Sequence, residues 1–356
     1  MSKRKKILIA PLDWGLGHTT RCIPLAQTFI QAGCEVCFAG NAIQQELFRE
    51  FFPHHRYFDL KGYGVQYSKS ALALPFKMLI QIPKILWAIK AERRWLEELN
   101  RTEHFDAIIS DNRYGLHLNH TPCVILTHQT EIRVPGSGLL QKMLNFWNRR
   151  FLKHFREVWI PDDENRSLSG DLSRHFLRNV RYLGNLSRLD NQMIRRFKLN
   201  VLFMLSGPEP QRSLFEKEIL GLDLNGLEIV LLRGCPADKT SITRKGWKIY
   251  PHLPYDQLSE HVKNADLIVC RSGYSTIMDL FKLGKRALLV PTPGQTEQVY
   301  LAEYHVRKHG FKSCQQGALH EIPASFWQEV FAPLEPAYLV KTRLQVVVHE
   351  FIDHLT

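Results

Sequence analysis

The chain has 356 residues, 44% of them hydrophobic, with 47 Lys and Arg against 35 Asp and Glu. That length suits two domains of ordinary size, and the apolar fraction excludes a disordered or collagen-like chain. The formal charge of +12 points to an anionic partner: nucleic acid, a phosphorylated small molecule or an acidic membrane surface. The basic start MSKRKKILIA has too short an apolar run, and no small-residue cleavage site, for a signal peptide. No stretch of about 18 uncharged apolar residues predicts a membrane span. Seven scattered cysteines fit a reducing compartment better than a disulfide framework, so a cytoplasmic location is expected. Cys34 and Cys37 form a lone C-x-x-C and read as buried thiols.

In chain order, short apolar runs alternate with longer amphipathic segments, the pattern of parallel α/β domains. A strand is expected at 6–12, a helix at 18–33 ended by Gly33, and strands at 35–40, 106–111, 122–127 and 157–162. Two aromatic, basic helices are expected at 75–99 and 139–158. They read as amphipathic contacts with an anionic membrane surface or, alternatively, as core and domain-packing helices with solvated basic faces. Residues 181–198 lack strand periodicity and read as a link. A second set follows: strands at 200–207, 227–234, 248–253, 266–273 and 286–293, with helices at 213–220, 255–265 and 275–284, and a last helix within 336–356. The expected division is a first domain at 1–183, a linker at 184–198, a second domain at 199–335, and a C-terminal helix at 336–356 that crosses back to the first domain. Residues 1–180 carry 25 Lys and Arg against 17 Asp and Glu, so the charge is biased to the first domain.

Three strand-to-helix loops can carry chemistry. The first reads Asp13, Trp14, Gly15, Leu16, Gly17, His18, Thr19, Thr20. Its glycines let backbone approach a ligand, and the helix start favours an anion. It lacks the third glycine of a dinucleotide fingerprint, and no acidic residue ends the next strand, so NAD is disfavoured. His18, near the C-terminal end of a strand, is a candidate base because an imidazole ordinarily titrates near neutrality. The second loop holds Ser206, Gly207 and Gln211 before a helix. The third and strongest is Arg271, Ser272, Gly273, Tyr274, Ser275, Thr276 with Asp279 in the following helix; the adjacent strand ends in Gln295, Glu297 and Gln298. Gly273 and the hydroxyls of Ser275 and Thr276 suit a pyrophosphate, and Asp279 can accept from ribose hydroxyls. Asp111 and Asn112 end one first-domain strand and His128 follows the next. Asp111 can support or replace His18 as the base, and His128 can contact acceptor or donor. Asp162, Asp163 and Glu164 read as a cap for a following helix.

The stretch CRSGYSTIMDLFKLGKRALLVPTPGQTEQVYLAEY resembles the nucleotide-sugar signature of family-28 glycosyltransferases, which include the bacterial enzyme adding N-acetylglucosamine to the peptidoglycan lipid intermediate. GLGH resembles that family's N-terminal glycine-rich loop, and SGPEPQ its second-domain phosphate loop. The resemblance implies an α/β fold of GT-B type: two Rossmann-like domains with parallel sheets facing a central cleft. It also implies a UDP-sugar donor, with inversion and without a bound metal or other cofactor. The donor contacts it implies are Ser206, Gly207, Gln211, Arg271, Ser272, Gly273, Ser275, Thr276, Asp279, Gln295, Glu297 and Gln298. His252 and Leu253 would lie in the loop facing the base, and Gly15, Gly17, Thr19, Asn112 and His128 on the acceptor side. Asp279 stands where the family usually has Glu, and Gln298 is followed by Val299 rather than a second glutamine. The function expected is transfer of a hexose or N-acetylhexosamine from a UDP-sugar to a hydroxyl acceptor, lipid-linked or part of a cell-envelope glycan, at the inner face of the plasma membrane. A UDP-sugar epimerase of the same fold and a non-catalytic nucleotide-sugar-binding protein are the alternatives. No recognised nucleic-acid motif accompanies the charge, so nucleic acid is the least expected partner.

Overall fold

A computed structural model describes residues 4–64, 74–133, 138–175, 177–189, 198–235, 238, 240–244, 246–338 and 340–355, without the side chains of 74–80 and 337. The side chains at the start of the expected helix at 75–99, and residues 190–197 of the expected link, therefore lie outside what is described. The chain divides into two compact units, and Phe76–Ser187 and Val340–Thr356 belong to the first while Arg188–Leu339 belongs to the second.

The first unit runs β1 (Lys6–Pro11), α1 (Leu16–Gln31), β2 (Glu35–Gly40), α2 (Ala42–Phe51), β3 (Arg56–Asp59), α3 (Leu74–Glu103), β4 (Ala107–Asp111), β5 (Cys123–Leu126), α4 (Gly138–Leu152), β6 (Glu157–Ile160) and β7 (Val180–Tyr182). Its strands are parallel and ordered β3-β2-β1-β4-β5-β6-β7. The central strands are covered on both faces, which is why Ile7, Leu8, Ile9, Ile108, Ile109, Val124 and Ile125 read as unbroken apolar runs and are all fully buried. Asn41 starts α2 with a reciprocal capping box to Gln44. Cys34 and Cys37 are buried thiols in this layer, their pKa pushed up to about 11 by burial.

The second unit runs β8 (Leu199–Met204), α5 (Gln211–Leu220), β9 (Ile229–Leu232), β10 (Ile242–Arg244), β11 (Trp247–Tyr250), α6 (Tyr255–Asn264), β12 (Ala265–Cys270), α7 (Tyr274–Lys282), β13 (Leu288–Leu289), α8 (Thr296–His309) and β14 (Lys312–Ser313). The order is β10-β11-β9-β8-β12-β13-β14, parallel except for the β10–β11 hairpin. Phe203 stacks on Trp247 at 5.8 Å between ring centroids, in a core shared with Phe215, Leu231 and Val269.

Several elements differ from expectation at the sheet edges. β3, β7, β10 and β14 are two to four residues long and mix charged with apolar residues, so no periodicity marks them. Arg181 and Tyr182, placed in the expected link, belong to β7, and Leu183, Leu186 and Leu189 behind them are buried. No α-helix starts directly after Asp162; only a short 3-10 helix, Gly170–Ser173, follows the turn. The Asp162 carboxylate instead accepts from the backbone N–H groups of Asp163, Leu168 and Ser169, organising a loop, and burial pushes its pKa up to about 6.

The expected helix at 336–356 is confined to α9 (Leu344–Asp353), preceded by a short 3-10 turn. α9 packs in the first unit: Phe351 meets Trp159 and Phe29 edge-to-face at 5.2 and 6.5 Å. Phe351→Ala would leave a cavity beneath α1, at a cost of about 3–5 kcal/mol. Urea unfolding should show a lowered midpoint for the first unit and an unchanged one for the second.

Candidate active site

In an open parallel sheet the crevice for a ligand lies where neighbouring strands send their connections to opposite sides. In the first unit that place is between β1 and β4, paired in register from Ile7 with Ala107 to Pro11 with Asp111. Leu12 N–H donates to the Asp111 carbonyl at 2.9 Å, so the chain leaves β1 hard against the end of β4. It then turns through Gly15, at φ +148°, a conformation that strains other residues. α1 starts at Leu16 rather than at the expected His18, which places His18 in the first turn.

His18 Nδ1 lies 2.9 Å from Asp111 Oδ1. Arg21, one turn on, holds the same carboxylate in a fork: Nε donates to Oδ2 at 2.7 Å and Nη2 to Oδ1. Its Nη1 lies 3.1 Å from His128 Nδ1. Asp111 is fully buried. Burial by itself would raise its pKa, but the Arg21 guanidinium and His18 outweigh it and hold the carboxyl well below the usual range. An ionised carboxylate only accepts, so His18 Nδ1–H is the donor and Nε2 is the ring's basic atom. Asp111 cannot be both this buried anchor and a proton acceptor, and of the two candidates His18 has the geometry of a base.

Other predicted residues support this loop. Thr19 is fully buried, and its Oγ1 accepts from Gln44 Nε2 at 3.3 Å, tying α1 to α2. Gly17 accepts from Thr20 Oγ1 through its carbonyl. Asn112 has φ +56°, and its Oδ1 is buried without a hydrogen-bond partner among the described residues. Next to it, Arg113 donates to the Pro11 and Lys61 carbonyls at 2.7 and 3.1 Å and to Glu92 at 2.6 Å; Glu92 also accepts from Tyr63 Oη. This buried network clamps the β1, β3 and β4 loops to α3. Neither Arg21 nor Arg113 is marked by any motif. The one signal for Arg21 is its i, i+3 spacing from His18, which puts both on one helix face.

The second unit repeats the topology. β8 and β12 flank its switch point, paired from Ala265 with Leu199 to Cys270 with Met204, and β13 joins β12 at Cys270 and Leu289. Three loops therefore leave neighbouring strand ends. Ser206 and Gly207 are exposed, and Gly273, Ser275, Thr276, Asp279, Gln295 and Glu297 are partly exposed. Gly273 is the N-cap of α7, and a helix start of this kind is the positive end of the helix dipole. A Cβ at Gly207 would lie 4.0 Å from Thr292 Oγ1. That hydroxyl is buried without a partner among the described residues, and sequence reasoning passed over it.

The remaining predicted residues lie beneath the surface. Arg271 is buried under the loops. Nη1 donates to the carbonyls of Val290 and Pro291 at 3.1 and 3.3 Å, and Nη2 to the Gln211 carbonyl at 3.1 Å and Gln316 Oε1 at 2.7 Å. The guanidinium also stacks on Phe215 at 4.1 Å, and burial brings its pKa down to about 10. Ser272 donates to the Gln298 carbonyl at 2.7 Å, and the Gln298 side chain accepts from Thr292 N–H while donating to Gln295. Arg271, Ser272, Gln211 and Gln298 thus set the shape of the loops rather than lining them. Leu253 is buried, and His252 is half-buried with its pKa lowered by burial and by Arg188.

Residues 213–321 match the Glycosyltransferase family 28 C-terminal domain. An uncharacterized glycosyltransferase of Methanosarcina acetivorans is 24% identical over 319 residues, 82% of this chain and 81% of its own length. The UDP-N-acetylglucosamine–N-acetylmuramyl-(pentapeptide) pyrophosphoryl-undecaprenol N-acetylglucosamine transferase of Mannheimia succiniciproducens is 21% identical over 338 residues, 90% of this chain and 88% of its own length. Among solved structures, Acinetobacter baumannii MurG aligns with a TM-score of 0.53 at 16% identity, covering 99% of this chain and 95% of that one. The calicheamicin glycosyltransferase CalG4 aligns at 0.61 and 13%, covering 99% and 94%. The fold is therefore GT-B, as the resemblance implies, and the match to the family 28 domain falls within the second unit.

Arg271→Met should leave the buried Val290 carbonyl without this donor and remove the stack on Phe215. At about 1 kcal/mol or more for an unsatisfied buried group, urea unfolding should show a loss of roughly 1 kcal/mol or more in the second unit.

Proposed function

We propose that the chain is a metal-independent inverting glycosyltransferase that moves a hexose or N-acetylhexosamine from a UDP-sugar to a hydroxyl acceptor. The observation that carries this reading is the His18–Asp111 contact at 2.9 Å, at a switch point of a GT-B chain whose other unit holds a family 28 domain. In the proposed step His18 Nε2 takes the proton of the acceptor hydroxyl as its oxygen attacks the sugar's anomeric carbon from the face opposite UDP. The bond to the UDP oxygen breaks, and the electron pair leaves with the diphosphate. The helix start at Gly273 and the hydroxyls of Ser275, Thr276 and Thr292 offer donors to that developing charge. Ser206 and Gly207 complete the diphosphate cradle, Asp279 accepts from ribose, and the loop of His252 and Leu253 faces the base. Gln295 and Glu297 contact the sugar, held in place by Gln298. In the first unit, Gly15, Gly17 and Asn112 receive the acceptor.

The same reading includes docking of the first unit on an anionic membrane surface, from which a lipid-linked acceptor is taken. α4 supports it. The helix turns Asn145 and Asn148 inward, where they satisfy Ile132, Gln129 and Thr130 backbone groups, and turns Leu139, Met143, Phe146 and Trp147 out to solvent. On α3, Leu86 and the 71% exposed Trp87 are also outward, while Ile85, Ala88 and Ile89 share a cluster with Phe151 of α4. Lys84, Lys90, Lys142, Arg149 and Arg150 accompany these side chains along the two helices. Apolar side chains with a basic surround suit the headgroup region. No helix among the described residues is long and apolar enough to cross a membrane.

Two measurements test these statements. UDP should raise the melting temperature of both the native protein and His18→Ala, while turnover of a UDP-sugar should fall roughly 10²–10⁴-fold in the variant. Indifference to every nucleotide would remove the donor assignment, and unaltered turnover in His18→Ala would remove His18; conversion of UDP-N-acetylglucosamine without acceptor would favour an epimerase. Trp87→Ser with Trp147→Ser should weaken sedimentation with phosphatidylglycerol vesicles more than tenfold, at roughly 1.5 kcal/mol or more for each large side chain no longer buried. Equal binding by native and variant protein would reject the surface.

A further inference from the structure

Arg21 is a cation almost wholly removed from solvent, one turn after His18, with every arm of its guanidinium occupied in one place. A buried arginine needs acceptors for its five N–H groups. Here the acceptors come from two elements: Asp111 at the end of β4 and His128 after β5. Cys22 adds its thiol, 3.5 Å from Asp111 Oδ2. We propose that Arg21 is the positioning residue of this site. By bridging Asp111 and His128 it fixes opposite tautomers in the two imidazoles, leaving Nε2 of His18 basic and Nε2 of His128 protonated.

The argument is one of donors and acceptors. A guanidinium only donates, so the His128 Nδ1 facing Arg21 Nη1 at 3.1 Å must present its lone pair, and the proton of neutral His128 sits on Nε2. A carboxylate only accepts, so the His18 Nδ1 facing Asp111 Oδ1 at 2.9 Å must present a proton. Arg21 Nη2 also lies 2.9 Å from His18 Nδ1, which by itself would favour the other tautomer. It makes its shorter contact with Asp111 Oδ1, and an unprotonated Nδ1 would set two lone pairs against each other in a buried site. The ion pair therefore settles His18 in the Nδ1–H form. One salt bridge thus gives two chemically identical side chains different properties: one ring accepts a proton, the other donates a hydrogen bond. This builds on His18 as the base of the proposed reaction, but the tautomers are measurable without any substrate.

The test is long-range 15N–1H correlation spectroscopy of the full chain labelled at histidine nitrogens, at pH 8. The two rings are assigned by the signals lost in His18→Gln and His128→Gln. Native protein should show His18 protonated at Nδ1 and His128 at Nε2. Arg21→Lys keeps the charge but has no fork, so His128 should lose its fixed tautomer while His18 keeps its own. Arg21→Met removes the counterion facing Asp111, leaving it the contacts with His18 and Cys22. The acid limb of the kcat/KM profile should then move to higher pH, and kcat should fall roughly 10²-fold or more with a smaller change in KM. If Arg21→Met does not fold, Arg21→Lys alone decides. Native His18 protonated at Nε2, or a His128 tautomer untouched by Arg21→Lys, would overturn the proposal. A chain that shows the predicted tautomers yet binds no nucleotide would refute the glycosyltransferase reading and leave the role of Arg21 standing.

Discussion

The reversal of winding at the centre of each sheet is the constraint from which the rest follows. A strand order of β2-β1-β4 in one unit and β9-β8-β12 in the other sends successive connections to opposite sides and leaves two strand ends bare between them. Whatever residues the chain places just after β1 and β4, or just after β8, β12 and β13, are brought together whether or not they are near in sequence. His18 and Asp111 meet across 93 residues for this reason. Gly207, Gly273 and Thr292 share one unit's strand ends in the same way.

Loops gathered at such a place have few backbone partners of their own, and here buried arginines supply the missing order. Arg21, Arg113 and Arg271 are among the largest fully buried side chains. Arg113 and Arg271 spend most of their hydrogen bonds on backbone carbonyls, a use for which the planar, five-donor guanidinium is suited and a lysine is not. Arg21 instead takes a carboxylate and an imidazole. Part of the excess positive charge is thus internal to the fold and not available to an anionic ligand. The positive charge on α3 and α4 is different in kind, since it borders outward-facing aromatic side chains.

The membrane-facing reading depends on an inversion of the ordinary helix rule. In α4 the residues that core packing would select, Leu139, Met143, Phe146 and Trp147, share one face at helical spacing, and the opposite face carries Asn145 and Asn148. From the sequence this stripe can either pack inward against the domain or face an anionic membrane, and the spacing does not choose between them. In the folded unit the two asparagines are needed to satisfy the backbone after β5, so the stripe is left outside.

The fold class was legible because central parallel strands must be apolar on both faces and because helices between them end at recognisable glycines; Gly33 and Gly284 do so here in left-handed conformations. The glycine, serine and threonine loops were legible for the same reason, since few residue types tolerate those turns. Edge strands such as β3 and β7 were not, having only one strand neighbour and no apolar run to mark them. The division of labour within the site was also hidden. Sequence alone grouped Arg271, Ser272 and Gln298 with the residues that would touch a ligand, because it records only that they share the loops. Burial separates them from Gly273 and Thr276, and burial is a property of the packed unit. In the same way the sequence supplied both His18 and Asp111 as possible bases, and only the packed structure shows Asp111 fully buried against Arg21 while His18 keeps part of its surface exposed.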